Sequence, residues 1–123
     1  MSDFYSMGLN EPIISAIKKL GFKNPTEVQI KSIPLLIDKP KDIVSLAQTG
    51  TGKTAAFGLP ILHHIDIKSK HTQALIIAPT RELCLQITSE LEKYAQPNFL
   101  DELENGPPVP NEEKLGQGES KFI

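Results

Sequence analysis

Apolar residues recur at Ile13, Ala16, Ile17 and Leu20, a spacing that puts one stripe on a helix. Asn10 stands where a capping side chain is wanted, and Gly21 where a left-handed residue closes the last turn. A second helix is predicted to start at Thr26, with Val28, Ile30 and Ile33 behind it and Pro34 interrupting or kinking it near its end. The pattern then changes. Residues 42–47 read as a short strand between Pro40 and a Gly-rich loop. A helix is predicted from about 52 to 64, weakened in its middle by Gly58 and Pro60. Residues 74–78 are an unbroken apolar run, suited to a strand buried on both faces. Thr80 opens a last helix whose stripe is Leu83, Ile87, Leu91 and Tyr94. Strand, crossover helix, strand and helix together predict an α/β fold with a parallel sheet.

Charge divides the chain near Gln96. Residues 1–96 carry eleven Lys+Arg against nine Asp+Glu; residues 97–123 carry two against six, with four of the ten Pro and three of the eight Gly. The second stretch has too few apolar side chains to offset its chain entropy, so a mostly unstructured acidic tail is expected, with at most a turn of helix at 99–103. Over all 123 residues the formal charge is −2, so the composition shows no bulk electrostatic grip on nucleic acid. The single cysteine excludes an intrachain disulfide and fits a reducing compartment. No apolar run approaches the ~18 residues of a membrane span. The first residues lack a basic stretch followed by an apolar one, so no secretory leader is expected and the cytoplasm is the expected location.

The sharpest chemistry lies in Ala47-Gln48-Thr49-Gly50-Thr51-Gly52-Lys53-Thr54. It matches the G-x-x-x-x-G-K-[ST] phosphate loop except for Ala at the first position. Gly50 and Gly52 let the backbone curl so that several N–H groups face one centre, and the helix that follows adds its positive end. Lys53 would reach the β- and γ-phosphates, and the Thr54 hydroxyl suits a hard Mg²⁺ ion. The loop sits between a predicted strand and a predicted helix, the context it requires. By itself it points to a nucleoside triphosphate and to no particular reaction.

Two further stretches narrow this. One is Gly21-Phe22-Lys23-Asn24-Pro25-Thr26-Glu27-Val28-Gln29, with Phe4 seventeen residues before Gly21; the other is Pro79-Thr80-Arg81-Glu82-Leu83-Cys84-Leu85-Gln86. With the phosphate loop they resemble the Q motif, motif I and motif Ia of DEAD-box ATP-dependent RNA helicases, in the family's order. The resemblance covers residues 4–96. It implies the N-terminal part of a RecA-like domain, followed at 97–123 by a stretch unlike the family. It also implies that Gln29 bonds the adenine edge, that Phe4 stacks on the base, and that Phe22 or Lys23 walls the pocket. Thr26 would hold the turn that presents Gln29. Thr49, Gly50, Thr51, Gly52, Lys53 and Thr54 would bind ATP and Mg²⁺, Lys53 and Thr54 being the catalytic candidates. Pro79, Thr80 and Arg81 would meet the RNA sugar-phosphate backbone without reading its sequence.

Plainer readings stand beside these. Thr26-x-x-Gln29 is also a capping box. Thr80 is also a simple N-cap, Arg81 a solvated first-turn residue and Phe4 an apolar plug. His63 and His64 are adjacent and point apart, so they suit packing or surface roles rather than a metal site. Cys84 flanks the last stripe and is expected to be a buried, inert thiol. Glu112 and Glu113 read as a solvated face or a short partner-binding segment.

The family's Asp-Glu-Ala-Asp and Ser-Ala-Thr stretches do not occur in this sequence, and Arg81 is its single arginine. Hydrolysis needs carboxylates that hold magnesium and orient water. The expectation is therefore a chain that binds ATP without turning it over. Its open sheet edges would make it marginally stable. Two alternatives remain: a non-catalytic module that binds a protein partner through its tail or sheet edge, or another phosphate-loop enzyme such as a DNA helicase.

Overall fold

Asn10 caps the first α-helix from the position its sequence context predicts: its Oδ1 accepts from Ile13 N–H at 3.3 Å. The computed structural model describes residues 3–39, 41–47, 50 and 52–105, with side chains up to residue 95. A 3₁₀ turn at Phe4–Met7 precedes α1 (Glu11–Lys19). α1 buries Ile13, Ile14, Ala16 and Ile17. Its end is closed by Phe22 N–H to the Ile17 carbonyl and Gly21 N–H to the Lys18 carbonyl, both at 3.0 Å, with Gly21 at φ +82°. That pair of bonds satisfies carbonyls left over at a helix end and requires a left-handed residue between them. It also turns Phe22 back along the helix. Leu20, expected in the stripe, falls on the C-cap beyond the last full turn and is exposed.

α2 (Glu27–Asp38) starts at Thr26 as predicted and runs through Pro34 without ending there. It buries Gln29, Ser32 and Ile33, while Ile30 stays exposed on its outer side. α3 (Lys53–His64) packs on α2, and Gly58 and Pro60 lie on its buried face. α4 (Arg81–Asn105) packs on α1 and α3 through Ile87, Leu91 and Tyr94. Gly58 lets α3 and α4 approach closely: a Cβ there would stand 2.5 Å from Leu91 Cδ2. Ile13, Ile17, Ile33 and Leu59 are fully enclosed between these helices, and each contributes about 1.5–3 kcal/mol by leaving water.

Among the described residues the expected parallel strands do not appear: 42–47 and 74–78 form no strand and exchange no ladder hydrogen bonds. A strand needs a neighbour as well as an apolar pattern. Nor is 74–78 buried on both faces. Ile76 and Ala78 rest on the helical core, while Leu75 and Ile77 face outward, Ile77 at 85% exposure. Leu46 is 96% exposed. Each segment thus has apolar side chains that no described element covers.

α4 also runs on past Gln96, the expected domain boundary, to Asn105. The rest of the expected tail, 106–123, with Glu112 and Glu113, lies outside the described residues. No helix among the described residues is long and apolar enough to cross a membrane.

Candidate functional site

The start of α3 supplies the donors. Gly52 is its N-cap at φ +80°, and Gly50 has φ +82°. Within the helix the first bond runs from Ala56 N–H to the Gly52 carbonyl at 3.1 Å. The N–H groups of Lys53, Thr54 and Ala55 therefore have no helical partner, and they sit at the positive end of the helix dipole. These three residues line an open cleft of about 1120 Å³. Ordinary ligand pockets measure ~300–1,000 Å³, so a nucleotide has room. Lys53 Nζ is donated to the Ala47 carbonyl at 2.6 Å, across the loop.

Gln29 joins this loop to α2. It is only 4% exposed. Its Oε1 accepts from Thr26 N–H at 2.9 Å, and its Nε2 donates to the Gly52 carbonyl at 3.1 Å. The first bond is the capping role; the second reaches the glycine-rich loop across 23 residues. A Cβ at Gly52 would lie 2.3 Å from Gln29 Nε2 and 3.2 Å from Thr26 Oγ1. Thr26 Oγ1 is buried without a hydrogen-bond partner. Such an orphan costs ~1–3 kcal/mol, and it stands in a residue that lines the cleft.

An aromatic wall closes one end. Phe4 is 3% exposed and stacks on Phe22 with ring centroids 5.9 Å apart and 19° between planes. Phe22 is 36% exposed. The ring expected to stack on the base is thus enclosed, and the ring with an open face is its neighbour. Tyr94, expected only as part of a helical stripe, packs on Phe22 from α4 at 5.8 Å. No local pattern marks it, because its nearness to Phe22 arises from α4 crossing α1.

The structure brings most of the expected site residues to this cleft. Phe4, Phe22, Thr26 and Gln29 line one side; Gly50, Gly52, Lys53 and Thr54 line the other, with Pro79 nearby. Lys23 is exposed and is not part of the lining. Thr49 and Thr51 lie outside the described residues. Thr80 caps α4, its Oγ1 accepting from Leu83 N–H at 3.2 Å, and Arg81 is the exposed first residue of that helix. Both stand apart from the cleft lining.

Cys84 corrects an expectation: it is exposed. The buried stripe of α4 starts one turn later, at Ile87, so the thiol lies beyond it. His63 and His64, expected to point apart, meet edge-on with ring centroids 5.2 Å apart, and each bonds the backbone of another segment. His63 Nδ1 accepts from Asn10 N–H at 3.1 Å, and His64 Nε2 bonds the Leu36 carbonyl at 2.9 Å. Among the described residues no group of His, Cys, Asp or Glu could hold a metal ion.

The sequence profile of the DEAD/DEAH box helicase family matches residues 26–121. That match continues across the stretch expected to be unlike the family. The ATP-dependent RNA helicase CshA of Listeria monocytogenes is 54% identical over 95 residues, which are 77% of this chain and 18% of that protein. S. cerevisiae Dbp5, solved bound to RNA and ADP BeF3, superposes with a TM-score of 0.75 at 31% identity, over 79% of this chain and 25% of the other. A DEAD box protein from Methanococcus jannaschii superposes with a TM-score of 0.71 at 38% identity, over 75% of this chain and 25% of the other. The chain spans about a fifth of the length of the curated relatives it matches.

Proposed function

This chain belongs to the DEAD/DEAH box helicase family, and from that we propose that it binds ATP at the cleft between α2 and α3, as part of an RNA helicase domain. The observation that carries the reading is the bond from Gln29 to the Gly52 carbonyl. It fixes a carboxamide against the loop whose glycine, lysine and threonine suit a triphosphate, and so sets a base reader beside a phosphate cradle.

The parts divide the work. The free N–H groups of Lys53, Thr54 and Ala55 would hold phosphate oxygens, with Lys53 leaving the Ala47 carbonyl to add its charge. Thr49 and Thr51, with Gly50, would complete the loop. The Thr54 hydroxyl would serve as a magnesium ligand, and the ion would neutralise charge between the phosphates. Phe22 offers the open face for the base, and Phe4 backs it. Gln29 would bond the base edge with its remaining N–H. Pro79, Thr80 and Arg81 would touch an RNA backbone at the exposed start of α4, as the RNA-bound relative invites. Relatives named as RNA helicases favour RNA over DNA. The cytoplasm suits such a protein, since RNA and ATP meet there and its one thiol fits a reducing compartment.

No turnover is expected of these residues alone. Hydrolysis needs carboxylates that hold magnesium and orient water, and the one carboxylate among the described cleft-lining residues is Glu90, on α4 one turn before Tyr94. Calorimetric titration of the 123-residue chain with ATP and with GTP, in magnesium, tests the proposal. ATP should bind more tightly than GTP. Lys53→Ala should weaken both, and Gln29→Ala should erase the preference. Equal affinities in the unaltered chain, or ATP binding indifferent to Lys53→Ala, would overturn it.

A further inference from the structure

Phe4, Phe22 and Tyr94 bring three rings together at the base end of the cleft, and all three line it. They come from three separate places: the 3₁₀ turn, the residue just past the end of α1, and α4. Phe22 alone of the three is substantially exposed; Phe4 and Tyr94 are 3% and 4% exposed. The Phe22 backbone is held by its bond to Ile17. Its ring is held by the other two: Phe4 stacks on it, and Tyr94 meets it at 50° between planes. Glu90, one turn before Tyr94, also lines the cleft; burial and that carboxylate push the Tyr94 phenol up to about 12, so it stays a neutral ring at ordinary pH.

We propose that Tyr94 is a positioning residue for base recognition: from α4 it sets the Phe22 ring as the stacking surface for a purine. The proposal rests on the reading of the cleft as an ATP site. It goes further in making α4 a wall of the base subsite. α4 begins at Arg81 and carries Tyr94 about 20 Å along at 1.5 Å per residue. One helix thus links the exposed Pro79–Arg81 corner to the base. Two features favour positioning over plain core filling. Tyr94 touches Phe22, the most exposed of the three rings, and a tilted ring–ring contact at 50° carries an orientation preference that an aliphatic side chain lacks.

The test compares a ligand with a base to one without. The 123-residue chain and its Tyr94→Leu, Tyr94→Phe and Phe22→Leu variants are titrated by calorimetry with ATP and with inorganic tripolyphosphate, both in magnesium. Stacking on one aromatic ring is worth enough that Tyr94→Leu should weaken ATP roughly tenfold. Tripolyphosphate affinity should stay unchanged, since the phosphate loop is untouched. Tyr94→Phe should restore ATP binding. Tyr94→Leu combined with Phe22→Leu should be no worse than Phe22→Leu alone. Equal losses for ATP and tripolyphosphate in Tyr94→Leu would show a structural role only and overturn the proposal, as would unchanged ATP binding. If the unaltered chain binds ATP no better than tripolyphosphate, the ATP reading itself fails and the proposal falls with it.

Discussion

Gln29 accepts from Thr26 N–H and donates to the Gly52 carbonyl, so one carboxamide both caps α2 and fixes the start of α3. At neutral pH a carboxamide of this length offers an acceptor and a donor at once, where a carboxylate only accepts. The capping reading and the site reading of Thr26-x-x-Gln29 are therefore compatible. The cap orients the side chain, and the orientation brings its nitrogen to the loop.

Gln29→Glu separates the two bonds. A carboxylate still accepts from Thr26 N–H but sets oxygen against oxygen at Gly52. A loss of about 1–3 kcal/mol is expected at pH 7 in urea unfolding. The loss should shrink below pH ~4, where a protonated carboxyl donates again. A variant as stable as the original at pH 7 would contradict the role given to that bond.

Gly52→Ala should be damaging on two counts. Its φ of +80° disfavours a side chain, and the new Cβ would meet a Gln29 amide pinned by two bonds. Left-handed backbone alone costs ~1–2 kcal/mol. Adding Gln29→Ala should recover the steric part and leave the backbone part. Unfolding curves of the single and double variants measure the split.

Gly58→Ala tests the approach of α3 to α4. Alanine gains about 1 kcal/mol in helix propensity over glycine. Against this, its Cβ would lie 2.5 Å from Leu91 Cδ2, in a side chain packed in the core. Overpacking of that kind costs ~1–3 kcal/mol, so net destabilisation is expected. Leu91→Ala in the same chain should make Gly58→Ala favourable, as thermal melts would register.

Acid should loosen the joint between α1 and α3. His63 Nδ1 accepts from Asn10 N–H, which a protonated nitrogen cannot do. Burial first, and then the His64 charge, hold its pKa below 6.5 in the folded chain. The unfolded chain therefore binds the proton more readily, and the stability from this group is fully present above pH 6.5 and lost as pH falls below it. No carboxylate rescues the charge: among the described residues the one ion pair is Lys31–Glu27, so neither Glu11 on α1 nor Asp38 on α2 pairs with His63. His63→Gln should flatten the fall in melting temperature between pH 7 and pH 5.5.

Cys84 should react with a thiol reagent in the folded chain at a rate close to that of a free thiol, because it is exposed. Stoichiometric labelling measured without and then with denaturant checks this. A burst of labelling seen only in denaturant would mean the thiol is covered.

Local chemistry was legible in the sequence wherever a bond closes within a few residues. Asn10 and Thr80 cap α1 and α4 with their side chains, Gly21 closes α1 through its left-handed backbone, and the Thr26 N–H donates to Gln29 at the start of α2. The phosphate loop is likewise a short-range pattern, and so is the stripe of α4 at Ile87, Leu91 and Tyr94. The apolar runs at 42–47 and 74–78 carried less far, since such a run states a preference for strand while pairing depends on a neighbour that the run does not name.

The residue sequence alone therefore determined the helix starts, the end of α1 and the family, because all three rest on interactions between near neighbours or on motifs read in order. The tertiary structure decided that Gln29 touches Gly52, that Phe22 rather than Phe4 stays exposed, and that Tyr94 packs on it. Those contacts join residues from 18 to 72 positions apart. They exist only once α2 lies on α3 and α4 crosses α1, an outcome of burying Ile13, Ile17, Ile33 and Leu59 together, which no single segment specifies.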